Sequence, residues 1–190
     1  EIYLIKALGY DKLVFGPDVK VEVHPFPHGS AMMEAFMAGQ LDICYVGSVP
    51  TVNAWARGAK LKIIAGVNYG GTSLVVRTDR GINSIKDLDG KKVAVPGPGN
   101  FQDVVLRSII LPKAGLKPKD KGGTVEIVYL KPAEMRTALL TGQVDAAIVW
   151  EPHVTMMLKE GGDKVKILVH WKEVGWEGKY PSSTIIASEE

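Results

Sequence analysis

Four short segments place glycine or proline beside a polar or aromatic residue, at points where a β-rich run gives way to a helical pattern. They are His28-Gly29-Ser30, Gly47-Ser48, Pro96-Gly97-Pro98-Gly99-Asn100 and Trp150-Glu151. Ser30, Ser48 and Asn100 are residue types that cap helix N-termini. Glycine next to them lets a ligand approach the backbone. Free N–H groups at helix starts favour an anion. Any one such turn, taken alone, reads as a simple cap. Several together, all at carboxyl ends of strands, argue for donors converging on one ligand.

Catalytic constellations are weak. The histidines are His24, His28, His153 and His170, and none forms H-E-x-x-H. No G-x-S-x-G elbow occurs. The P-G-P-G-N loop departs from G-x-x-x-x-G-K-[ST] and from G-x-G-x-x-G, so a nucleotide phosphate loop is unsupported. Cys44 is the single cysteine, which excludes an internal disulfide and a cysteine-rich metal site. Asp42 and Asp145 open strands at matching positions and read as structural. His28 and His153 either reach a cleft or sit at solvated helix starts. Trp150 offers either an apolar wall to a ligand or a core side chain. Glu151 either faces the cleft, where it binds an amine or repels a second anion, or is a helix-start carboxylate.

Magnitudes limit how an anion could be held. Micromolar binding needs about 8 kcal/mol. A helix dipole contributes roughly 0.3–1 kcal/mol, and a hydrogen bond to a charged group about 1.5–3 kcal/mol. Dipoles alone fail, so several desolvated bonds from two sides must close around the guest.

The elements that would position these donors repeat. Met32 to Val46 reads M-M-E-A-F-M-A-G-Q-L-D-I-C-Y-V, and Met135 to Val149 reads M-R-T-A-L-L-T-G-Q-V-D-A-A-I-V. Gly39 and Gly142, Gln40 and Gln143, and Asp42 and Asp145 each lie 103 positions apart (142 minus 39 for the glycines). Each copy reads as strand (Val21 to His24; Val125 to Tyr129), helix, strand. The helix ends at a glycine suited to positive φ. Helices from Pro50 to Arg57 and Pro152 to Lys159 follow, then strands Leu61 to Ala65 and Val165 to Val169. A period this long suggests two similar α/β lobes with mainly parallel sheets rather than a solenoid. Asn68 to Ser73 and Trp176 to Ser183 are turn-rich and read as two crossings between the lobes, hence a two-strand hinge, or as surface loops.

Composition agrees. With 46% hydrophobic and 23% charged residues among 190, the chain is ordinary globular material, not disordered, collagenous or coiled coil. A chain of this length buries ~70% of its unfolded surface without staples. The net charge is +2 with no Lys/Arg stripe, so no nucleic-acid partner is expected. The longest apolar runs are too short to span a bilayer as a helix.

The segment F-P-H-G-S-A-M-M-E-A-F-M-A-G-Q-L-D-I-C-Y-V-G-S-V-P from Phe26 resembles the first lobe of substrate-binding proteins of the nitrate/sulfonate/taurine class of ABC importers, the NMT1/THI5-like family. I-N-S-I-K-D-L-D-G-K-K-V-A-V-P-G-P-G-N from Ile82 and G-Q-V-D-A-A-I-V-W-E-P from Gly142 are similar to that family's second lobe. The resemblance covers nearly the whole chain and implies a type II periplasmic-binding-protein fold, with a small anion such as a sulfonate, taurine, nitrate or bicarbonate between the lobes. It further implies delivery to a membrane permease, a periplasmic or extracytoplasmic location with or without a lipid anchor, and no cofactor, metal or catalysis. The family's ligand-contacting turns fall on Gly29, Ser30, Gly47, Ser48, Tyr69, Thr72, Gly99, Asn100, Gln102, Trp150 and Glu151.

The expected lobes are residues 1–72, 73–178, and a return strand at 179–190 that rejoins the first lobe. Family members begin with a strand before the position of Glu1 and continue with helices beyond Glu190. The first lobe is therefore expected to be incomplete, with an exposed apolar edge near Tyr3 and Leu4 able to drive self-association. Two other readings share the fold. An enzyme resembling the pyrimidine synthases of thiamine biosynthesis would need a cysteine-rich stretch and an active-site histidine, and one cysteine argues against it. A ligand-sensing domain of a regulator or receptor would need further segments. A neutral heterocycle stacked on Trp150 is a related binding possibility.

Overall fold

Runs such as Leu74-Val75-Val76 and Ala146-Ala147-Ile148-Val149 carry apolar side chains on both sides of a strand, so they require a sheet covered on both faces. The computed structural model describes residues 7–189 and contains one such sheet beside a smaller one. In chain order the elements are α1 (Tyr10–Phe15), α2 (Gly29–Met37), β1 (Ile43–Gly47), α3 (Ser48–Ala56), β2 (Leu61–Tyr69), β3 (Thr72–Arg77), β4 (Lys92–Val95) and α4 (Phe101–Val105). There follow β5 (Glu126–Tyr129), α5 (Pro132–Thr141), β6 (Ala146–Trp150), α6 (His153–Gly161), β7 (Val165–Val169), α7 (Trp171–Val174) and β8 (Pro181–Ser188). Helix α4 continues through a π turn at Leu106–Ile110 into Leu111–Lys113. Pro112 has no N–H and its ring crowds the preceding turn, which accounts for the local widening.

The larger sheet has the order β5-β4-β6-β3-β7, parallel from β5 through β6, with β3 antiparallel to both β6 and β7. Its side chains alternate between two cores. Leu74, Val76, Val93, Val95, Ala146 and Ile148 pack under α4 with Phe101, Leu106 and Ile110. Val75, Ala94, Ala147 and Val149 pack under α5 and α6 with Met135, Leu139 and Met157. The smaller sheet has the order β1-β8-β2. Here β8 returns between β1 and β2 and pairs antiparallel with each, so no two adjacent strands are parallel. The sequence pattern could not show this, because the returning strand comes from the far end of the chain. One face packs Met33, Phe36, Cys44, Val46, Ala54 and Ile186 under α2 and α3. The opposite face is open among the described residues, with Ile63 and Ile64 exposed on β2.

The repeated motif is realised twice as helix, strand, helix, strand: α2-β1-α3-β2 and α5-β6-α6-β7. Gly39 and Gly142 have φ of +71° and +78°, as helix-terminating glycines require. Val21 to His24 departs from expectation: it forms no strand, and no strand lies beside it among the described residues. The apolar edge expected near Tyr3 and Leu4 lies outside the described residues.

Strands β2 and β3 are longer than their apolar runs suggested, leaving only Gly70-Gly71 between them. This first crossing is tied to the second, since the Gly70 N–H donates to the Tyr180 carbonyl at 3.1 Å. Thr72 N–H also lies 3.4 Å from the Tyr180 hydroxyl.

Candidate functional site

A cleft of about 500 Å³ lies between the two sheets, at the carboxyl ends of β1 and β6 and beside the loop after β4, with both crossings in its wall. This is where open α/β sheets present helix N-termini to a ligand. Of the expected contact residues, Gly29, Gly47, Tyr69, Thr72, Asn100, Gln102, Trp150 and Glu151 line it. Ser30, Ser48 and Gly99 stand just behind, and their polar groups are already engaged.

Asn100 is the N-cap of α4 and is 4% exposed. Its Oδ1 accepts the Ser30 N–H at 3.2 Å and the Ser30 hydroxyl at 3.0 Å. Its Nδ2 is buried with no hydrogen-bond partner. An orphaned buried donor costs roughly 1–3 kcal/mol, which an acceptor brought to this wall would recover. Gln102, one turn into the same helix, donates through Nε2 to Thr72 Oγ1 at 2.9 Å. It thereby joins the helix to the start of β3.

The serines do not cap their helices. His28 is the N-cap of α2, its Nδ1 accepting the Ala31 N–H at 3.3 Å, which leaves Ser30 inside the first turn. Ser30 Oγ donates to the Pro98 carbonyl at 2.9 Å instead. Ser48 Oγ donates to the Pro181 carbonyl at 2.6 Å, fastening α3 to the second crossing. Gly99 donates its N–H to Asp103 Oδ2 and accepts from Asn53 Nδ2, each at 3.0 Å. Ser30 and Asn53 therefore clip the small-sheet unit directly to the loop after β4. Gly29 is glycine for packing, since a Cβ there would meet Pro50 Cγ at 2.9 Å.

Burial in the cleft wall pushes the His28 imidazole below its ordinary pKa. Its Nδ1 is an acceptor, so the neutral ring carries its proton on Nε2. Glu151 resolves toward the capping role while still lining the cleft, because its Oε2 accepts the Thr155 N–H at 3.0 Å. Trp150 packs edge-on to His153, with ring centroids 5.8 Å apart. Asp145 proves structural: its Oδ2 accepts the Lys92 N–H at 2.8 Å and Arg80 lies 3.3 Å from its Oδ1.

Sequence reasoning missed Phe26, Met32, Tyr45, Trp171, Ser182 and Ser183 as wall residues. Trp171 begins α7 immediately after β7, so the strand-to-helix rule that found the others applied to it as well. Among the described residues that line the cleft none is Lys or Arg, and no cluster of metal-ligating side chains occurs. The site can therefore hold a guest through neutral donors and apolar walls.

Comparison with known proteins agrees with this geometry. The family profile described as NMT1/THI5 like matches residues 7–190. The chain is 34% identical over 152 residues to a putative aliphatic sulfonates-binding protein of Escherichia coli K12, covering 78% of this chain and 46% of that protein. It is 30% identical over 158 residues to the taurine-binding periplasmic protein of the same organism, covering 83% and 46%. A 4,5-dihydroxyphthalate decarboxylase of Pseudomonas putida is 28% identical over 159 residues, covering 70% of this chain and 61% of the enzyme. Among solved structures, the alkanesulfonate-binding protein SsuA of Xanthomonas axonopodis pv. citri, bound to MOPS, superposes with a TM-score of 0.82 at 26% identity, covering 99% of this chain and 61% of that one. The chain thus spans about half the length of the curated binding proteins it matches. Two α/β units joined by paired crossings, a donor-lined cleft between them and a profile match over almost the whole chain lead to one conclusion: this chain belongs to the NMT1/THI5-like family.

Proposed function

We propose that this protein is the solute-binding component of an ABC importer and that it binds an organic sulfonate monoanion in the cleft. The observation that carries the reading is the buried, unpartnered Nδ2 of Asn100 in the wall of a cleft that no lysine or arginine lines among the described residues. Neutral donors suit a single, diffuse negative charge. A divalent anion costs more to desolvate than a monoanion, and Glu151 would oppose it more strongly. Two charge-assisted bonds of about 1.5–3 kcal/mol each leave micromolar affinity short by about 2–5 kcal/mol. Apolar walls from Trp150, Trp171, Phe26 and Met32 supply the rest at ~25 cal/mol per Å² buried. That favours a sulfonate with a carbon skeleton over nitrate or bicarbonate.

In this reading residues 1–72 form the first lobe, 73–178 the second, and 179–190 return to the first. Gly29, Gly47, Tyr69, Thr72, Asn100, Gln102, Trp150 and Glu151 contact the solute, while Ser30, Ser48 and Gly99 hold the lobes around it. The protein works outside the cytoplasm, hands its cargo to a membrane permease, and performs no chemistry. Its relatives named as sulfonate- and taurine-binding proteins support this.

Thermal melting with taurine, ethanesulfonate, MOPS, nitrate, bicarbonate and sulfate tests the reading. A sulfonate at a hundred times its Kd should add about 2.7 kcal/mol, and sulfate should add nothing. If every sulfonate leaves the melting unchanged, or sulfate shifts it as much, the assignment is wrong.

A further inference from the structure

Two crossings join the sheets, and one side chain lies against both. Gly70 in the first has φ +64°, and a Cβ there would stand 2.5 Å from Trp171 Cε3. Gly178 in the second has φ +76°, and a Cβ there would stand 2.7 Å from the same atom. Real Cβ atoms essentially never approach so closely, so each crossing omits a side chain where it meets the same edge of one indole. The Gly70 N–H to Tyr180 carbonyl bond ties the two crossings to each other.

The indole is also part of the cleft wall. Its backbone belongs to the large-sheet unit: β7 leads into it, His170 Nδ1 accepts the Lys172 N–H at 3.4 Å to cap α7, and Val174 is fully buried.

We propose that Trp171 is a positioning residue that couples occupancy of the cleft to the angle between the two units, its ring serving as the surface on which both crossings bear. Glycines in the left-handed region have wide freedom, so a hinge made of them alone would sample many angles. A flat ring fixed in one unit restricts that range. A guest packed on the same ring favours whichever crossing geometry leaves the ring in contact with it, and a ligand shifts an equilibrium by such a difference in contact. The ligand half of this inference rests on the sulfonate reading; the bearing half does not.

Pulsed electron paramagnetic resonance on the whole protein tests it. Spin labels at Val52→Cys on α3 and Lys159→Cys on α6, both exposed, report the distance between units, while native Cys44 is buried and escapes labelling. The ligand-free distribution should be at least about twofold wider in Trp171→Leu than in the otherwise native protein, and Trp171→Phe should fall between. Added ethanesulfonate or MOPS should narrow the native distribution, and Trp171→Leu should need at least about tenfold more to do so. Melting temperatures identify any variant that fails to fold.

Gly70→Ala supplies a second measurement. It should displace the distribution when Trp171 is present and change it far less in the Trp171→Leu background. Residues in contact couple, so additive effects would mean that the ring does not bear on this crossing. Equal ligand-free widths, or additive effects, overturn the inference. A native protein that ignores both sulfonates overturns the functional assignment instead, and the ligand-free widths still decide the role of Trp171.

Discussion

Asn100 meets Ser30 across the cleft with only one end of its amide: Oδ1 takes both the N–H and the hydroxyl of Ser30, at 3.2 and 3.0 Å, while Nδ2 is left buried without a partner. The oxygen clips the two units together, and in the sulfonate reading the nitrogen is the donor a guest would take up. Asn100→Asp should therefore replace the waiting donor with a negative oxygen and weaken sulfonate binding at least about a hundredfold, while Ser30 keeps its acceptor. Asn100→Ala should cost about tenfold in affinity and leave ligand-free stability nearly unchanged, because an unsatisfied polar group disappears along with two bonds. Calorimetric titration beside thermal melting separates the two effects. Unchanged affinity in both variants would remove Asn100 from the site.

Glu151 bounds the cleft as a carboxylate whose Oε2 already accepts the Thr155 N–H. A simple sulfonate is repelled by it, whereas the ammonium of an aminosulfonate is attracted. Glu151→Gln should strengthen ethanesulfonate binding severalfold and weaken taurine binding by a similar factor, since a charged interaction near a surface is worth about 1 kcal/mol. Parallel titrations check this. Equal shifts for both ligands would mean that Glu151 acts only as a helix-start cap.

Two histidines set the pH dependence of the ligand-free fold. Burial holds the His28 imidazole below its usual pKa of 6.5, and protonation would remove the Nδ1 acceptor that caps α2. His153 is lowered too, by burial first and by the Arg136 charge second, with Glu151 opposing. The unfolded chain binds these protons more readily than the folded one. The contribution is thus complete above pH 6.5 and declines as pH falls below it. Melting temperature should stay level from about pH 8 to 7 and fall between about 6.5 and 5.5, before the carboxylates titrate. His28→Asn, which keeps a capping acceptor, should flatten part of that decline. An equally steep decline in that variant would acquit His28.

Asp103 holds the Pro96 to Asn100 loop from behind. It is 6% exposed, accepts the Gly99 N–H at 3.0 Å, and pairs with Arg107 Nε at 2.7 Å. Arg107 also reaches Asp120, at 2.8 Å, and the Tyr129 hydroxyl, at 3.0 Å. Asp103→Ala strands both the amide and part of the guanidinium, and should cost about 3 kcal/mol in urea denaturation, the lower end for breaking a buried pair because Arg107 keeps Asp120. A cost under about 0.5 kcal/mol would show the pair to be no stronger than a surface bridge.

What the amino-acid order alone determined is local or periodic. The G-Q-x-D copies predicted two helices ending in left-handed glycines at Gly39 and Gly142, each followed by a buried strand, because C-caps and apolar spacing depend on neighbours only a few residues away. Turn chemistry led to Gly29, Gly47, Asn100, Trp150 and Glu151 on the cleft wall, since strand-to-helix turns at the carboxyl ends of strands converge whatever the details. Which donors stay free was decided only in three dimensions. Ser30 and Asn100 are 70 residues apart and Ser48 and Pro181 are 133 apart in the chain, so nothing in the spacing revealed that the serine hydroxyls are occupied and the Asn100 amide is not. The same holds for β8 entering between β1 and β2, for Val21 to His24 joining no sheet, and for one indole meeting both crossings. Hydrogen-bond satisfaction and close packing are pairwise properties of residues brought together by the fold, and a one-dimensional pattern carries their propensities but not their partners.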